Sequence, residues 1–209
     1  MFDILLQTVL SSTEIGLYKN LKAVDSFKKS SLQKSENTFV FDLYNLIKKH
    51  QVEIKDIEHV WVVNGPGYFT GIRTGLAIAK TFVDVLKIPI RLINTFHWLE
   101  TGVSDMRANF KIFIPSSARE GYLGFMKDSN LEETRLVHIK DLFKQNMHGF
   151  DGAPIYTSNE ELTKLENILY IEPNFYLPRA YDEVTTTQNI VPEYFRTEDQ
   201  LFRKQCEKI

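Results

Sequence analysis

The apolar positions of this chain begin as short runs separated by turn residues. Phe2 to Leu6 reads as a buried strand, Ser11-Ser12 supplies turn chemistry, and Glu14 to Lys19 and Ala23 to Phe27 read as two more short strands. Together they predict a β-meander. The period then changes: Phe39, Val40, Leu43, Leu46 and Ile47 recur at helical spacing until His50, with Ser35 offered as an N-cap. His59 to Val63 is an apolar strand, Gly65 to Gly71 a glycine-rich turn, and Ile72 to Leu86 a strongly periodic helix. Ile88 to Ile93 makes one more strand, and Thr95 to Thr101 fits a short helix.

The resulting order, β-β-β-α-β-α-β, is the ribonuclease-H-like plan. After about Gly102 the pattern starts again with Phe110 to Ile114, turns near Glu120-Gly121, and continues through Tyr122 to Met126 and Arg135 to Ile139. A weaker region follows, with candidate helices at Lys140 to Met147 and Glu160 to Leu165, a strand at Ile168 to Ile171, and a Pro-punctuated tail from Pro173. The expected organisation is a lobe over 1–103 and a smaller lobe with a tail over 104–209.

Composition adds bounds. A chain of 209 residues, 43% hydrophobic and 25% charged, has the make-up of a globular protein with a substantial core. Its single cysteine, Cys206, rules out an intramolecular disulfide and a Cys-rich metal site, which points to a reducing, cytoplasmic setting. No run of 18 apolar residues occurs, so no membrane helix is expected, and Met1 to Leu10 lacks the basic flank of a secretion signal. A formal charge of −2 gives no global attraction to nucleic acid, so any service to RNA would run through a partner.

The most informative segment is Asn64-Gly65-Pro66-Gly67-Tyr68-Phe69-Thr70-Gly71-Ile72-Arg73, lying between the apolar strand and the long helix. Glycines permit backbone conformations barred to other residues and Pro66 fixes its own φ, so the strand can turn tightly into the helix. Free N–H groups at the helix start could hold an anion, and the same residues could equally be a turn with no ligand. The spacing is neither a dinucleotide fingerprint nor a P-loop: the glycines run G-x-G-x-x-x-G, Arg91 stands twenty positions beyond Gly71, and no Gly-Lys-Ser/Thr ending follows. No H-E-x-x-H or G-x-S-x-G motif is present, and His50, His59, His97, His138 and His148 include no i, i+4 pair. The pairs Ser11-Ser12 and Ser116-Ser117 are read as local backbone hydrogen-bonders.

The glycine segment resembles the GPGSFTGLR signature of the TsaB (formerly YeaZ) family and runs on, through Thr74-Gly75-Leu76-Ala77-Ile78-Ala79-Lys80, into a helix similar to that family's Gly-Leu-Ala-x-Ala-Lys; Tyr68 and Ile72 are the main departures. Lys34-Ser35-Glu36, Ala118-Arg119-Glu120-Gly121 and Pro192-Glu193-Tyr194-Phe195-Arg196 resemble further family motifs in the same order. The resemblance implies an α/β protein of two ribonuclease-H-like lobes in the actin/hexokinase-like ATPase (ASKHA) fold, the second lobe degenerate. It also implies a non-catalytic subunit of the complex that makes threonylcarbamoyladenosine in tRNA. That subunit pairs with TsaD as a heterodimer, with TsaE a further partner and tRNA met only through the complex. A homodimer is the alternative in the absence of TsaD. No intrinsic cofactor or metal is expected, with ATP or ADP engaged only in the complex. Where such proteins often begin with a strand ending Asp-Thr-Ser, this chain has Gln7-Thr8-Val9, which replaces a metal-organising carboxylate by an amide. An independent small-molecule kinase or ATPase of the same fold is the competing function.

Two sets of residues follow as candidates. Asn64, Gly65, Pro66, Gly67, Thr70, Gly71, Arg73 and Arg119 are the motif and nucleotide-cleft candidates. On the long helix, the apolar positions from Ile72 to Leu86 cover roughly half of the helical wheel, more than one core contact needs. Ile72, Leu76, Ala79 and Val83 suffice for docking on a sheet, which leaves Gly75, Ile78, Phe82 and Val85 to join Phe41 and Tyr44 of the preceding helix as the expected partner-binding face. Phe82 is the expected anchor. In the family these helices are expected to form a four-helix bundle with the equivalent pair of TsaD; the chain's own second lobe or tail is the other candidate to cover them.

Overall fold

The structure, a computed structural model, describes residues 1–30, 38–103, 109–145, 149–172, 177, 181–186, 188 and 190. The meander forms as read: β1 (Phe2–Gln7), β2 (Ser12–Lys19) and β3 (Lys22–Ser30) pair antiparallel in sequence. β1 reads as a continuous apolar run because it is interior, flanked by β2 on one side and by β4 (Ile57–Gly65), parallel to it, on the other. β5 (Ile90–Asn94) lies parallel beyond β4.

Between these strands come α1 (Phe39–Lys49) and α2 (Phe69–Asp84). The parallel register pairs Ile4 with Val60 and Leu6 with Val62, so these four side chains share one face of the sheet. α2 lies over that face: a methyl on Gly75 would come within 3.8 Å of the Val62 side chain. α1 covers the same face farther along, since Asp25 and Lys29 of β3 bond its two ends. The N-cap of α1 is Thr38, and Ser35, expected there, lies outside the described residues. α3 (Thr95–Glu100) follows β5 directly, with Asn94 Oδ1 accepting from the Phe96 N–H. Phe96 and Trp98 are fully buried, and the Phe96 ring lies against Gly124 of the second sheet. α3 thus joins the two sheets.

The second sheet is built from β6 (Phe110–Pro115), β7 (Glu120–Lys127), β8 (Asn130–His138), β9 (Ile155–Thr157) and β10 (Ile168–Tyr170), in the order β10-β9-β6-β7-β8. β6 to β8 form another meander. β6 is buried on both faces, with Phe110, Ile112 and Ile114 in the main core and Phe113 in a smaller one completed by Leu142 and Phe150.

Four departures from the sequence reading stand out. Where α-helices were expected at Lys140 to Met147 and Glu160 to Leu165, the described residues form 3-10 turns, Ile139–Lys144 and Leu162–Lys164, each too short to repeat an apolar stripe. β9 was not anticipated; it is three residues long. Glu120-Gly121 opens β7 rather than making the turn, which lies at 116–119. Finally β11 (Asp182–Val184), inside the Pro-punctuated tail, returns to the first sheet and pairs antiparallel with β5, giving the order β11-β5-β4-β1-β2-β3. Among the described residues, no helix is long and apolar enough to cross a membrane.

Candidate functional site

The glycine turn connects β4 to α2 at the carboxyl ends of the parallel strands, where open α/β sheets offer a crevice. Gly65 carries φ 124, a value that other residues rarely adopt, and the Gly65–Pro66 bond is cis. The other glycines of the motif serve a different purpose. A methyl added to Gly67 would lie 2.3 Å from the Val9 carbonyl oxygen, one on Gly71 1.9 Å from that of Thr8, and one on Gly75 2.5 Å from Thr8 Oγ1. Spaced four apart, the three glycines form one stripe along the start of α2, and the Thr8-Val9 turn after β1 lies against it. Thr8 Oγ1 donates to the Gly71 carbonyl at 2.7 Å, and the Tyr68 N–H donates to Val9 O at 2.8 Å. Gly67 has no positive φ among these, so close approach, not backbone conformation, is what excludes a side chain there.

Gln7 sits beside this stripe, 1% exposed. Its Oε1 accepts from the Leu10 N–H and its Nε2 donates to the Ser12 carbonyl, both at 3.0 Å. The amide therefore stitches the β1–β2 turn across its width. A carboxylate could accept the first bond but has no proton for the second.

The remaining motif residues are dispersed. Asn64 is buried, and its Oδ1 has no hydrogen-bond partner among the described residues. Thr70 and Arg73 are exposed; Thr70 O accepts from Thr74 Oγ1, and the Arg73 guanidinium lies over the Phe69 ring at 5.2 Å. Burial pushes the Tyr68 hydroxyl up from its ordinary pKa. Arg119 is on the β6–β7 turn of the other sheet, its N–H bonded to Ser117 Oγ and its carbonyl to the Ile139 N–H. Ser116 Oγ donates to Glu120 O, so both hydroxyls of that serine pair bond the local backbone.

The helices present a second feature. Phe39, Leu43 and Leu46 of α1 point into the core, while Val40 (63%), Phe41 (62%) and Tyr44 (51%) are exposed. On α2 the expected stripe needs correction. Phe82 is 8% exposed and belongs to the chain's own core, Gly75 is buried against Thr8, and Ile78 is partly buried against the core. Of the four positions only Val85, 69% exposed and at the C-cap, stands free. The wide apolar arc of α2 is thus mostly buried within the chain itself. At the far end of α1, Asp25 accepts from Lys49 Nζ and bonds His50 Nε2, both at 2.7 Å. The His50 bond above all, with Lys49 and the Ser26 N–H, holds the Asp25 carboxyl at about 2.

His59 and His97 bond Asp3 and Glu100, and His148 lies outside the described residues. Asp3, Glu58 and His59 each bring one donor atom within 4.8 Å of the others, but at the end of the sheet remote from the glycine turn. The Lys34-Ser35-Glu36 and Pro192 to Arg196 motifs also lie outside the described residues.

A family model described as "TsaD: tRNA N6-adenosine threonylcarbamoyltransferase" matches residues 42–165, from within α1 to beyond β9. A protein of Buchnera aphidicola subsp. Acyrthosiphon pisum, named tRNA threonylcarbamoyladenosine biosynthesis protein TsaB, is 23% identical over 186 residues, covering 85% of this chain and 84% of that protein. Its counterpart in Buchnera aphidicola subsp. Schizaphis graminum is 30% identical over 97 residues, 46% of each chain. In structure the chain is similar to YeaZ from Pseudomonas aeruginosa, with a TM-score of 0.67 at 13% identity over 93% of this chain and 99% of that one. That likeness, together with the two packed sheets, shows an ASKHA-type fold.

Proposed function

Because the chain belongs to the family described as TsaD, tRNA N6-adenosine threonylcarbamoyltransferase, as one of its TsaB/YeaZ members, we propose that it serves tRNA threonylcarbamoyladenosine biosynthesis as a non-catalytic subunit that binds TsaD. The observation that carries this reading is the exposed face of α1. Val40, Phe41 and Tyr44 are large apolar or aromatic side chains on one side of an ordered helix, with Val85 at the end of α2 on the same side of the sheet. Aromatic residues grouped on such a face are the material of interface anchors.

Gln7 supports the non-catalytic part. Its amide is spent on the backbone of the β1–β2 turn, at the position where a metal-organising carboxylate would stand. In this reading the chain holds no nucleotide by itself, ATP or ADP is engaged only in the complex, TsaE joins that complex, and tRNA is met through TsaD. Reconstitution separates this from an independent kinase or ATPase. The purified chain alone should neither hydrolyse ATP nor modify tRNA, and adding it to TsaD, with the remaining components supplied, should raise the yield of modified tRNA. Multiple turnovers of ATP by the chain alone would overturn the proposal.

A further inference from the structure

The return of β11 to the first sheet raises the question of what holds a strand three residues long. Its ladder is short: Asp182, Glu183 and Val184 pair with Leu92, Arg91 and Ile90. Side chains add the rest. Arg91 lies against two rings that touch each other: its guanidinium carbon is 4.8 Å from the centre of Trp61 and 4.7 Å from that of Tyr181, and those rings meet edge to face at 4.8 Å. Arg91 Nε also donates to Glu183 Oε2 at 3.1 Å. The same carboxylate oxygen lies 4.0 Å from Nε2 of His59, whose Nδ1 bonds Asp3 Oδ1 at 3.1 Å. Val184, on the opposite face of the sheet from Glu183, packs into the core.

We propose that β11 is a self-strap: a segment that docks in cis on the β5 edge through this clamp, and that leaves as a unit without unfolding the lobe. β5 does not depend on it, because its opposite edge is paired along its length with β4. What the strap covers is the β5 edge of the sheet's other five strands, together with the buried Trp61 ring. An uncovered edge of this kind is a template for pairing with another chain. The clamp concentrates its strength in one cation against two touching rings and one ion pair, both lying on the boundary between β5 and β11. Loosening it should open that boundary and nothing else.

Hydrogen exchange read by mass spectrometry on the full chain tests this, with two variants that loosen the clamp from opposite sides: Arg91→Met on β5 and Tyr181→Ala before β11. In both, amides of 182–184 and those amides of 90–92 that face β11 should exchange about tenfold faster or more, while the β5 amides that face β4 and those of β1, β2 and β4 keep wild-type protection, as expected for a local opening. Unchanged protection at 182–184 in both variants would overturn the strap. So would loss of protection across the whole sheet together, because β11 would then be part of the lobe's cooperative core.

Discussion

At the residue scale, the glycine motif is a packing device before it is anything else. Gly67, Gly71 and Gly75 let the start of α2 touch the Thr8-Val9 backbone, and Gln7 then closes the turn that presents that backbone. Gly71→Ala forces the helix off Thr8 and should cost about 2 kcal/mol or more, read from the denaturant midpoint. Wild-type stability would mean that the close approach is dispensable. Gln7→Glu removes the donor to Ser12 and buries a charge in its place, so a loss of about 1–3 kcal/mol is expected at neutral pH. Asp25 makes a prediction in pH. Its folded-state carboxyl, at about 2, lies below the ordinary value of 3.8, so the His50 and Lys49 bonds stabilise the fold above that value and stop doing so as pH falls toward about 2. Asp25→Asn should flatten the acid limb of the stability curve there. The importance of the glycines was legible, but not its reason. Their i, i+4, i+8 spacing signals a close-packed helix stripe, and of the motif's glycines Gly65 alone has an unusual backbone angle.

At the element scale, the two helices divide what the sequence pattern had merged. An apolar arc wider than one contact requires was read as a second, partner-facing stripe on α2. The chain's own core takes up Phe82 and most of Ile78 as well as Leu76 and Val83. Helical periodicity reports how wide an apolar face is; it does not report how much of that width the chain's own sheet covers. On α1 the expectation for Phe41 and Tyr44 agrees with their exposure, because Phe39, Leu43 and Leu46 already fill the core side. Phe82→Ala should therefore lower the stability of the isolated chain by about 3–5 kcal/mol. Phe41→Ala and Tyr44→Ala should each stay within about 0.5 kcal/mol of wild type. Urea unfolding of the three variants measures the contrast, and a mild Phe82→Ala with a severe Phe41→Ala would reverse the assignment.

At the scale of the whole molecule, the order of elements in the first hundred residues was readable because each is long enough to show its period. The second half was readable through β6, β7 and β8, and through β10, which matches the strand expected at Ile168 to Ile171. β9 and β11 are three residues each, too short for alternation to register, and the pairing of β11 with a strand some ninety residues earlier is a long-range contact that no local pattern encodes. The ASKHA-type architecture leaves α1 on the outside of the first sheet with its aromatic side chains uncovered, and that exposure is the basis for reading the chain as a binding subunit. The most direct measurement is a calorimetric titration of the organism's own TsaD with the wild-type chain and with the Phe41→Ala/Tyr44→Ala double variant. The account predicts that the wild-type chain binds and that the folded double variant binds at least about tenfold more weakly, a loss of about 1.4 kcal/mol or more. Equal affinity for the two chains, or no binding by the wild-type chain, would contradict it.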